Sequence, residues 1–249
     1  MQQMMNHPRR RGLRIMARID NDVCTLGIDT SGEPLHKRGH KEEITKAPMR
    51  ETLAAMFLRQ CSWDGREPVL DPMCGSGTFI IEAAEIAAGL KPGRTRRFAF
   101  EQLATFKQSS WLKIRDRGGA HVPDVRFYGS DRDGGAIRMS RANAERAGVA
   151  AYTEFQPLEI RELTAPPGPP GLVIVNPPYG SRIGDKSKLA SLYKSLGQVL
   201  VTGFGGWRVG LITTERALAD ATGLPFQSTA EPVSNGGQRV TLYRTATLA

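Results

Sequence analysis

The chain has 249 residues, of which 40% are hydrophobic and 24% charged, a composition that suits one globular domain with a small appendage. No apolar run approaches the roughly 20 residues that span a bilayer, and the opening residues are too polar for a secretory signal, so we expect a cytoplasmic protein that does not contact a membrane. The 3 cysteines lack metal-ligand or paired spacing, which argues against a disulfide framework or a zinc site and predicts free thiols.

The formal net charge is +9, and positive residues cluster at 9–14, 36–41 and 91–97. Such an excess is typical of proteins that bind a polyanion, whose phosphates supply affinity but little sequence information. A basic surface that only keeps the protein soluble explains the charge equally well. The charge by itself therefore does not identify a partner.

The first 45 residues differ from the rest of the chain. Two strand-like runs flank Asn21-Asp22, a turn-forming pair, and predict a β-hairpin. The following residues are basic and irregular. We expect 1–45 to form a basic arm with a hairpin, and 46–249 to form the main domain.

A helix-like stripe lies within 47–61, and from Glu67 onward strand-like and helix-like patterns alternate. This alternation indicates βαβ units, and it predicts an α/β fold with a mostly parallel sheet. The closing residues 226–246 instead predict two antiparallel strands joined at Asn235-Gly236. The expected helices lie within 47–61, 76–90, 134–148 and 189–204, and the expected parallel strands lie within 68–71, 125–131, 152–155, 172–175 and 208–214.

A glycine-rich turn follows the first of these parallel strands. The strand ends at Asp71, and Gly75 and Gly77 let the backbone pass close to a ligand before a helix begins near Thr78. The dinucleotide fingerprint is excluded because Ile80 occupies its third glycine position, and a P-loop is excluded because no GK[ST] follows. The pattern favours another nucleotide-like cofactor, with the Asp71 carboxylate accepting from a cationic amine.

Another acid follows the next strand. Asp131 is placed to accept hydrogen bonds from ribose hydroxyls, as acids do after the second strand of nucleotide-binding folds. An alternative role for Asp131 is to cap the following helix, but Asp133 is the better candidate for that role.

The sequence NPPY follows the aliphatic run 172–175. Two prolines cannot continue a strand, because neither has an N–H to donate and both have a fixed φ. The chain must leave the sheet here in a rigid conformation, at the strand end where open α/β sheets bind ligands. An ordinary turn that ends the strand would also fit these four residues.

Taken in order, the strings DPMCGSG, GSDRD and NPPYG resemble the motifs of class I S-adenosylmethionine-dependent methyltransferases that modify exocyclic amino groups. More narrowly, IDTSGEPLHKRGH, KAPMRETLAA and DPMCGSGTFIIEAA resemble the bacterial 23S ribosomal RNA guanine-N2 methyltransferase family over roughly residues 23–245. The resemblance implies a Rossmann-like, seven-stranded sheet with helices on both faces. Family members usually carry an RNA-binding THUMP domain ahead of this part, for which the chain has no room.

The resemblance also implies roles for individual residues. The cofactor S-adenosylmethionine would contact residues from the glycine turn and the following strand ends, with Glu159 meeting its adenine amino group. That set is Asp71, Pro72, Cys74, Gly75, Ser76, Gly77, Thr78, Asp131, Glu159 and Asn176. The catalytic residues would be Asn176, Pro177, Pro178 and Tyr179, with no metal ion required.

In this chemistry, the Asn176 side-chain oxygen and the Pro177 carbonyl accept from the target amine and aim its lone pair at the cofactor methyl group, while Tyr179 stacks on the base. The implied substrate is RNA, with guanine N2 of 23S ribosomal RNA as the expected target. Alternatives are an N6-adenine DNA methyltransferase, a guanine-N2 transfer RNA methyltransferase and a noncatalytic RNA-binding protein. We expect RNA capture to need the basic clusters or a further RNA-binding region.

Overall fold

The structure, a computed structural model, describes residues 12–40, 49–179 and 186–249. The chain divides into two compact units. The small unit combines the residues up to Arg38 with Gly93–Arg117, and the large unit combines Gly39–Pro92 with Gly118–Ala249. The division at residue 45 into an arm and a main domain stays a prediction.

The small unit contains the predicted β-hairpin, formed by β1 (Ile15–Asp20) and β2 (Val23–Ile28). Asn21 and Asp22 join the strands with φ angles of 49° and 61°, the left-handed conformation that a two-residue hairpin turn requires. One face of the hairpin is apolar and exposed, and such faces mark interaction surfaces. Its side chains are Ile15, Ala17, Ile19, Cys24, Leu26 and Ile28.

The second part of the small unit is built around half-buried aromatic rings. The Phe100 and Trp111 rings meet edge to face at 4.9 Å, and the Arg96 guanidinium lies 4.6 Å from the centre of the Phe98 ring. Trp111 belongs to α3 (Gln108–Arg115), which the sequence patterns did not predict. This helix is only eight residues long and has no buried residue, so its apolar residues do not form the long core-facing stripe by which helices are recognised in a sequence.

The large unit is built on a mixed sheet. Its strands are β3 Val69–Asp71, β4 Phe127–Asp131, β5 Thr153–Pro157, β6 Leu172–Val175, β7 Arg208–Thr213, β8 Phe226–Thr229, β9 Val233–Asn235 and β10 Gln238–Thr245. The strand order is β5-β4-β3-β6-β7-β10-β8, and β9 pairs with β10. The strands β3 to β7 pair in parallel, whereas β10 runs antiparallel to β7, β8 and β9. The predicted α/β fold with a mostly parallel sheet is confirmed.

The C-terminal region differs from the two strands that we expected. It forms three, because the chain is interrupted between β8 and β9, where Pro232 cannot donate a ladder hydrogen bond. The turn between β9 and β10 is also shifted by one residue. Gly236 and Gly237 are its two central residues, with φ angles of 58° and 84°, and Asn235 is the last residue of β9.

Helices cover the sheet and close the core. The whole of β6 is buried, as expected of a parallel strand covered on both faces, and the large side chains Phe57, Phe79 and Tyr193 are fully buried. No helix in the described ranges is long and apolar enough to cross a membrane. The helices of this unit are α1 Glu51–Gln60, α2 Thr78–Ala87, α4 Gly134–Ala147, α5 Lys186–Gly203 and α6 Arg216–Ala221.

Two glycines of α5 provide a test of this packing. A Cβ atom at Gly197 would lie 1.7 Å from the Thr222 carbonyl oxygen, whereas nothing lies within 4 Å of one at Gly203. Replacing glycine by alanine in a helix usually stabilises by about 0.5–1 kcal/mol. We expect Gly197→Ala instead to lower the free energy of unfolding by about 2 kcal/mol in a urea titration, through overpacking. Gly203→Ala should leave it unchanged or raise it, and equal effects of the two changes would contradict the packing.

Candidate active site

The glycine turn begins where β3 ends. Asp71 is the last residue of this buried strand and is 2% exposed. Gly75 and Gly77 have φ angles of 53° and 81°, a backbone conformation that residues other than glycine rarely adopt. A Cβ at Gly77 would also lie 3.1 Å from the side chains of Ser140 and Phe155. Both glycines are therefore required by the shape of the turn, which leads directly into α2.

Hydrogen bonds from β4 and α4 hold this turn. The Gly75 N–H donates to Asp131 Oδ2 at 3.0 Å, and the Ser140 hydroxyl donates to the Gly75 carbonyl at 2.7 Å. The Asn143 amide donates to the Ser76 carbonyl at 3.0 Å. Sequence reasoning missed Ser140 and Asn143, although polar residues spaced i, i+3 on the buried face of α4 were a signal that could have identified them.

Asp131 lies at the end of β4, and backbone groups already contact both of its carboxylate oxygens. Besides Gly75, the Asp133 N–H donates to Asp131 Oδ1 at 3.0 Å. Asp133 caps α4, since its side chain accepts from the Gly135 N–H at 2.7 Å, so the predicted assignment of the cap to Asp133 is confirmed. Each carboxylate oxygen can accept more than one hydrogen bond, which leaves capacity on Asp131 for ribose hydroxyls.

Asp71 has an unusual electrostatic environment. The pKa of its carboxyl is raised to about 8, chiefly by burial and also by the nearby Asp131 carboxylate, although a hydrogen bond from the Met73 N–H opposes the rise. A carboxylate in such a place is costly without a positive partner. A cationic amine at this position would supply that partner.

Glu159 lies two residues beyond β5 and is exposed. It begins the short 3-10 turn Ile160–Glu162, where the Glu159 and Glu162 side chains cap each other's backbone groups. This local contact gives Glu159 a structural role. Its predicted role toward an adenine amino group stays a prediction.

The NPPY segment follows β6. The Asn176 Oδ1 atom is buried and has no hydrogen-bond partner among the residues that the structure describes. The Tyr193 hydroxyl of α5 donates to the Pro178 carbonyl oxygen at 3.3 Å and lies 3.2 Å from the Thr213 hydroxyl oxygen. Burial raises the pKa of Tyr193, so the phenol keeps the proton that it donates. Tyr193 and Thr213 are support residues that sequence reasoning did not identify.

Tyr179 differs from the expectation of an open stacking surface. Its side chain is 8% exposed, so a base reaches the ring face only after the ring or its surroundings move. The predicted stacking of a base on Tyr179 stays a prediction.

The strand order brings the three motifs to one edge of the sheet. Neighbouring parallel strands β4, β3 and β6 end at Asp131, Asp71 and Val175, the residue before Asn176. After β3 the chain adds β4 and β5 on one side and returns with β6 on the other, and ligands of open α/β sheets bind at such switch points. Within the described part of the chain, no group of three or more His, Cys, Asp or Glu residues could hold a metal ion.

The basic clusters have different environments. Residues 9–11 and Lys41 lie outside the described residues. Arg38 and His40 are only 7% and 6% exposed, and His40 Nδ1 lies 3.1 Å from the buried Glu85 carboxylate. Arg38 and His40 are therefore not part of an exposed basic surface, whereas Lys37 and Arg97 are exposed.

Residues 38–244 match the RMKL-like methyltransferase domain family. A curated relative, ribosomal RNA large subunit methyltransferase K/L from Vibrio parahaemolyticus, is 38% identical over 214 residues, which cover 83% of this chain and 30% of the relative. The chain thus spans less than a third of the length of that relative.

Two solved structures are similar over nearly the whole chain. One is a possible methylase from Clostridium difficile 630, with a TM-score of 0.86 and 33% identity, covering 100% of this chain and 65% of that one. The other is the methyltransferase SMU.472 complexed with SAH, with a TM-score of 0.86 and 28% identity, covering 95% of this chain and 62% of that one. These matches confirm the resemblance that the motifs suggested, and the chain belongs to the RMKL-like methyltransferase domain family.

Proposed function

We propose that this protein transfers a methyl group from S-adenosylmethionine to the exocyclic amino group of a base in RNA, namely N2 of a guanine in 23S ribosomal RNA. The proposal rests on the buried Asn176 side-chain oxygen at the switch point of the sheet, which has no hydrogen-bond partner in the described part of the chain. An unpaired acceptor in this position costs stability unless a ligand supplies a donor. An exocyclic NH2 group is such a donor.

The residues around the glycine turn fit S-adenosylmethionine. Asp71 would pair with its cationic amine, the turn Gly75 to Gly77 would pass close to its methionine part, and Asp131 would accept from its ribose. The Cys74 side chain is buried, so this residue would contribute through its backbone, as would Pro72, Ser76 and Thr78 in shaping the turn. The bound SAH in the similar structure of SMU.472 supports this choice of cofactor.

The residues at the end of β6 would activate the amine by position. Its lone pair is delocalised into the base, and two acceptors that hold its hydrogens favour the tetrahedral geometry in which the lone pair is available. Asn176 Oδ1 and the Pro177 carbonyl would be these acceptors, because the Pro178 carbonyl already accepts from Tyr193. S-adenosylmethionine supplies an electrophilic methyl carbon: a C–N bond forms, the C–S bond breaks, and the amine then releases a proton. The protein contributes mainly orientation and electrostatics.

The choice of substrate rests on the relatives and on chemistry. The Vibrio parahaemolyticus relative is a ribosomal RNA large subunit methyltransferase. The choice of guanine N2 rests on the resemblance of the sequence motifs. An N6-adenine DNA methyltransferase would use the same Asn-Pro-Pro-Tyr chemistry. The nucleic acid and the base must therefore be identified directly.

The test is transfer of tritiated methyl groups from S-adenosylmethionine to three substrates: ribosomal RNA lacking the modification, transfer RNA and DNA. Digestion to nucleosides then identifies the product. We expect N2-methylguanosine from the large-subunit RNA. N6-methyladenine in DNA would overturn the substrate assignment, and the absence of transfer to all three would overturn the proposal.

Asn176→Ala tests whether Asn176 serves the reacting amine rather than the binding of the cofactor. The change removes an acceptor for the reacting amine but no group that we assign to the methionine part of the cofactor. We expect the affinity for S-adenosylhomocysteine, measured by calorimetry, to stay within about threefold of the original, while kcat falls by at least about a hundredfold. Equal losses of cofactor affinity and turnover would contradict this assignment.

Asp71 predicts a pH dependence of cofactor binding. Because burial raises the pKa of Asp71 to about 8 in the free protein, a ligand ammonium group must drive off a proton when it binds below that pH. The affinity for S-adenosylhomocysteine should therefore rise from pH 6 to pH 8, by up to about tenfold per pH unit. Asp71→Asn should weaken binding and abolish this dependence, whereas the exposed Asp22→Asn should preserve it. A wild-type affinity that does not change with pH would contradict the role of Asp71.

Phosphate contacts should make RNA binding sensitive to salt. To test this, a variant replaces five arginines by Gln: Arg9, Arg10, Arg11, Arg94 and Arg97. Arg96 is left in place because it packs on Phe98. We expect weaker binding to all RNAs and a salt dependence whose slope falls by about one unit per lost phosphate contact. A control variant with Lys107 and Lys113 replaced by Gln should show a salt dependence of RNA binding closer to that of the original protein. Superimposable titrations of the five-residue variant and the original protein would show that the clusters only solubilise the protein.

A further inference from the structure

Asn235 is a buried polar residue that the turn beside it does not explain. It is the last residue of β9 and is 6% exposed. The two positive φ angles of the turn belong to Gly236 and Gly237, so the turn geometry makes no demand on residue 235. Buried polar side chains usually have a partner that accounts for them.

The partner of Asn235 lies in the Asn-Pro-Pro-Tyr segment. Asn235 Nδ2 lies 3.5 Å from the Tyr179 hydroxyl oxygen, and both side chains are buried. Asn235 Oδ1 is buried and has no partner within the described ranges. A buried amide that is only partly satisfied costs about 1–3 kcal/mol, whereas a leucine of the same shape avoids this cost. The fold itself thus gains little from asparagine at this position.

We propose that Asn235 is a positioning residue for methyl transfer, which acts through the Tyr179 hydroxyl to fix the end of the Asn-Pro-Pro-Tyr loop. The inference rests on the proposed function. The loop is then held at two successive residues: Tyr193 of α5 holds the Pro178 carbonyl, and Asn235 of β9 holds Tyr179.

These two contacts act on Asn176 through the prolines. Pro177 and Pro178 have fixed φ angles, so few backbone rotations remain between the anchored end of the loop and Asn176. Loosening the anchor lets the Asn176 amide oxygen move away from the position in which it holds the amine. A displacement of about 1 Å can cost up to a hundredfold in rate.

The main test compares the variants Asn235→Leu and Tyr179→Phe. Each removes the hydrogen bond between residues 235 and 179, and Tyr179→Phe keeps the aromatic ring for stacking. We expect both to lower kcat by about tenfold or more, with unchanged affinity for S-adenosylhomocysteine. The melting temperature of Asn235→Leu should be unchanged or higher, because the buried unpaired oxygen is gone.

The double variant shows whether the two residues act as one unit. If Asn235 acts through the Tyr179 hydroxyl, the double variant loses no more activity than either single variant. Ser234→Ala is the matched control, because this exposed neighbour in β9 points to the opposite face of the strand and should keep full activity. Multiplied losses in the double variant, or full activity of Asn235→Leu, would overturn the inference.

A second readout does not depend on activity. The side-chain NH2 signals of Asn235 in an NMR spectrum should shift in Tyr179→Phe and stay in place in Ser234→Ala. Unshifted signals in Tyr179→Phe would overturn the inference. If the Asn235 signals shift as expected in Tyr179→Phe but the original protein transfers no methyl group, the proposed function is contradicted and the contact itself is established.

Discussion

The site depends on one topological constraint, the placement of β6 directly beside β3 in a parallel sheet. These strands are distant in sequence, yet their pairing brings the carboxyl ends at Asp71 and Val175 to the same edge. A glycine turn then leaves β3 and a proline pair leaves β6 at neighbouring positions. The proposed cofactor site and the proposed amine site are adjacent because of this pairing. Without it, the two strand ends would not lie side by side.

The two strand ends are supported by different means. The glycine turn is held through its own backbone, which is hydrogen-bonded to Asp131, Ser140 and Asn143. The proline loop has few backbone donors to offer, so side chains from α5 and β9 hold it through the Pro178 carbonyl and the Tyr179 hydroxyl. In both cases the support comes from other elements of the fold. This support uses neither Asp71 nor the Asn176 side-chain oxygen. Among the described residues, the Asn176 oxygen has no hydrogen-bond partner, and the Asp71 carboxyl accepts from the Met73 N–H.

Local patterns in the sequence predicted the elements and motifs well. Alternating strands and helices indicated the parallel sheet, and Asp133 was correctly identified as the cap of α4. The support residues Ser140, Tyr193 and Asn235 were not predicted, because their roles arise from contacts between distant segments. Asn235 was assigned to a turn, since Asn-Gly is a strong hairpin signal. The turn is instead formed by Gly236 and Gly237, and Asn235 is the last residue of β9. Burial of Arg38 and Tyr179 also depends on tertiary packing that local patterns do not contain.

The most direct test of the account is a crystal structure of the protein with S-adenosylhomocysteine. We expect the ligand amine to lie within hydrogen-bond distance of Asp71 and the ribose hydroxyls to lie at Asp131. The sulfur atom should face the Asn176 side-chain oxygen across a gap that fits a methyl group and an amine nitrogen. A ligand bound at another edge of the sheet would contradict the central claim. So would a ligand whose sulfur atom points away from Asn176.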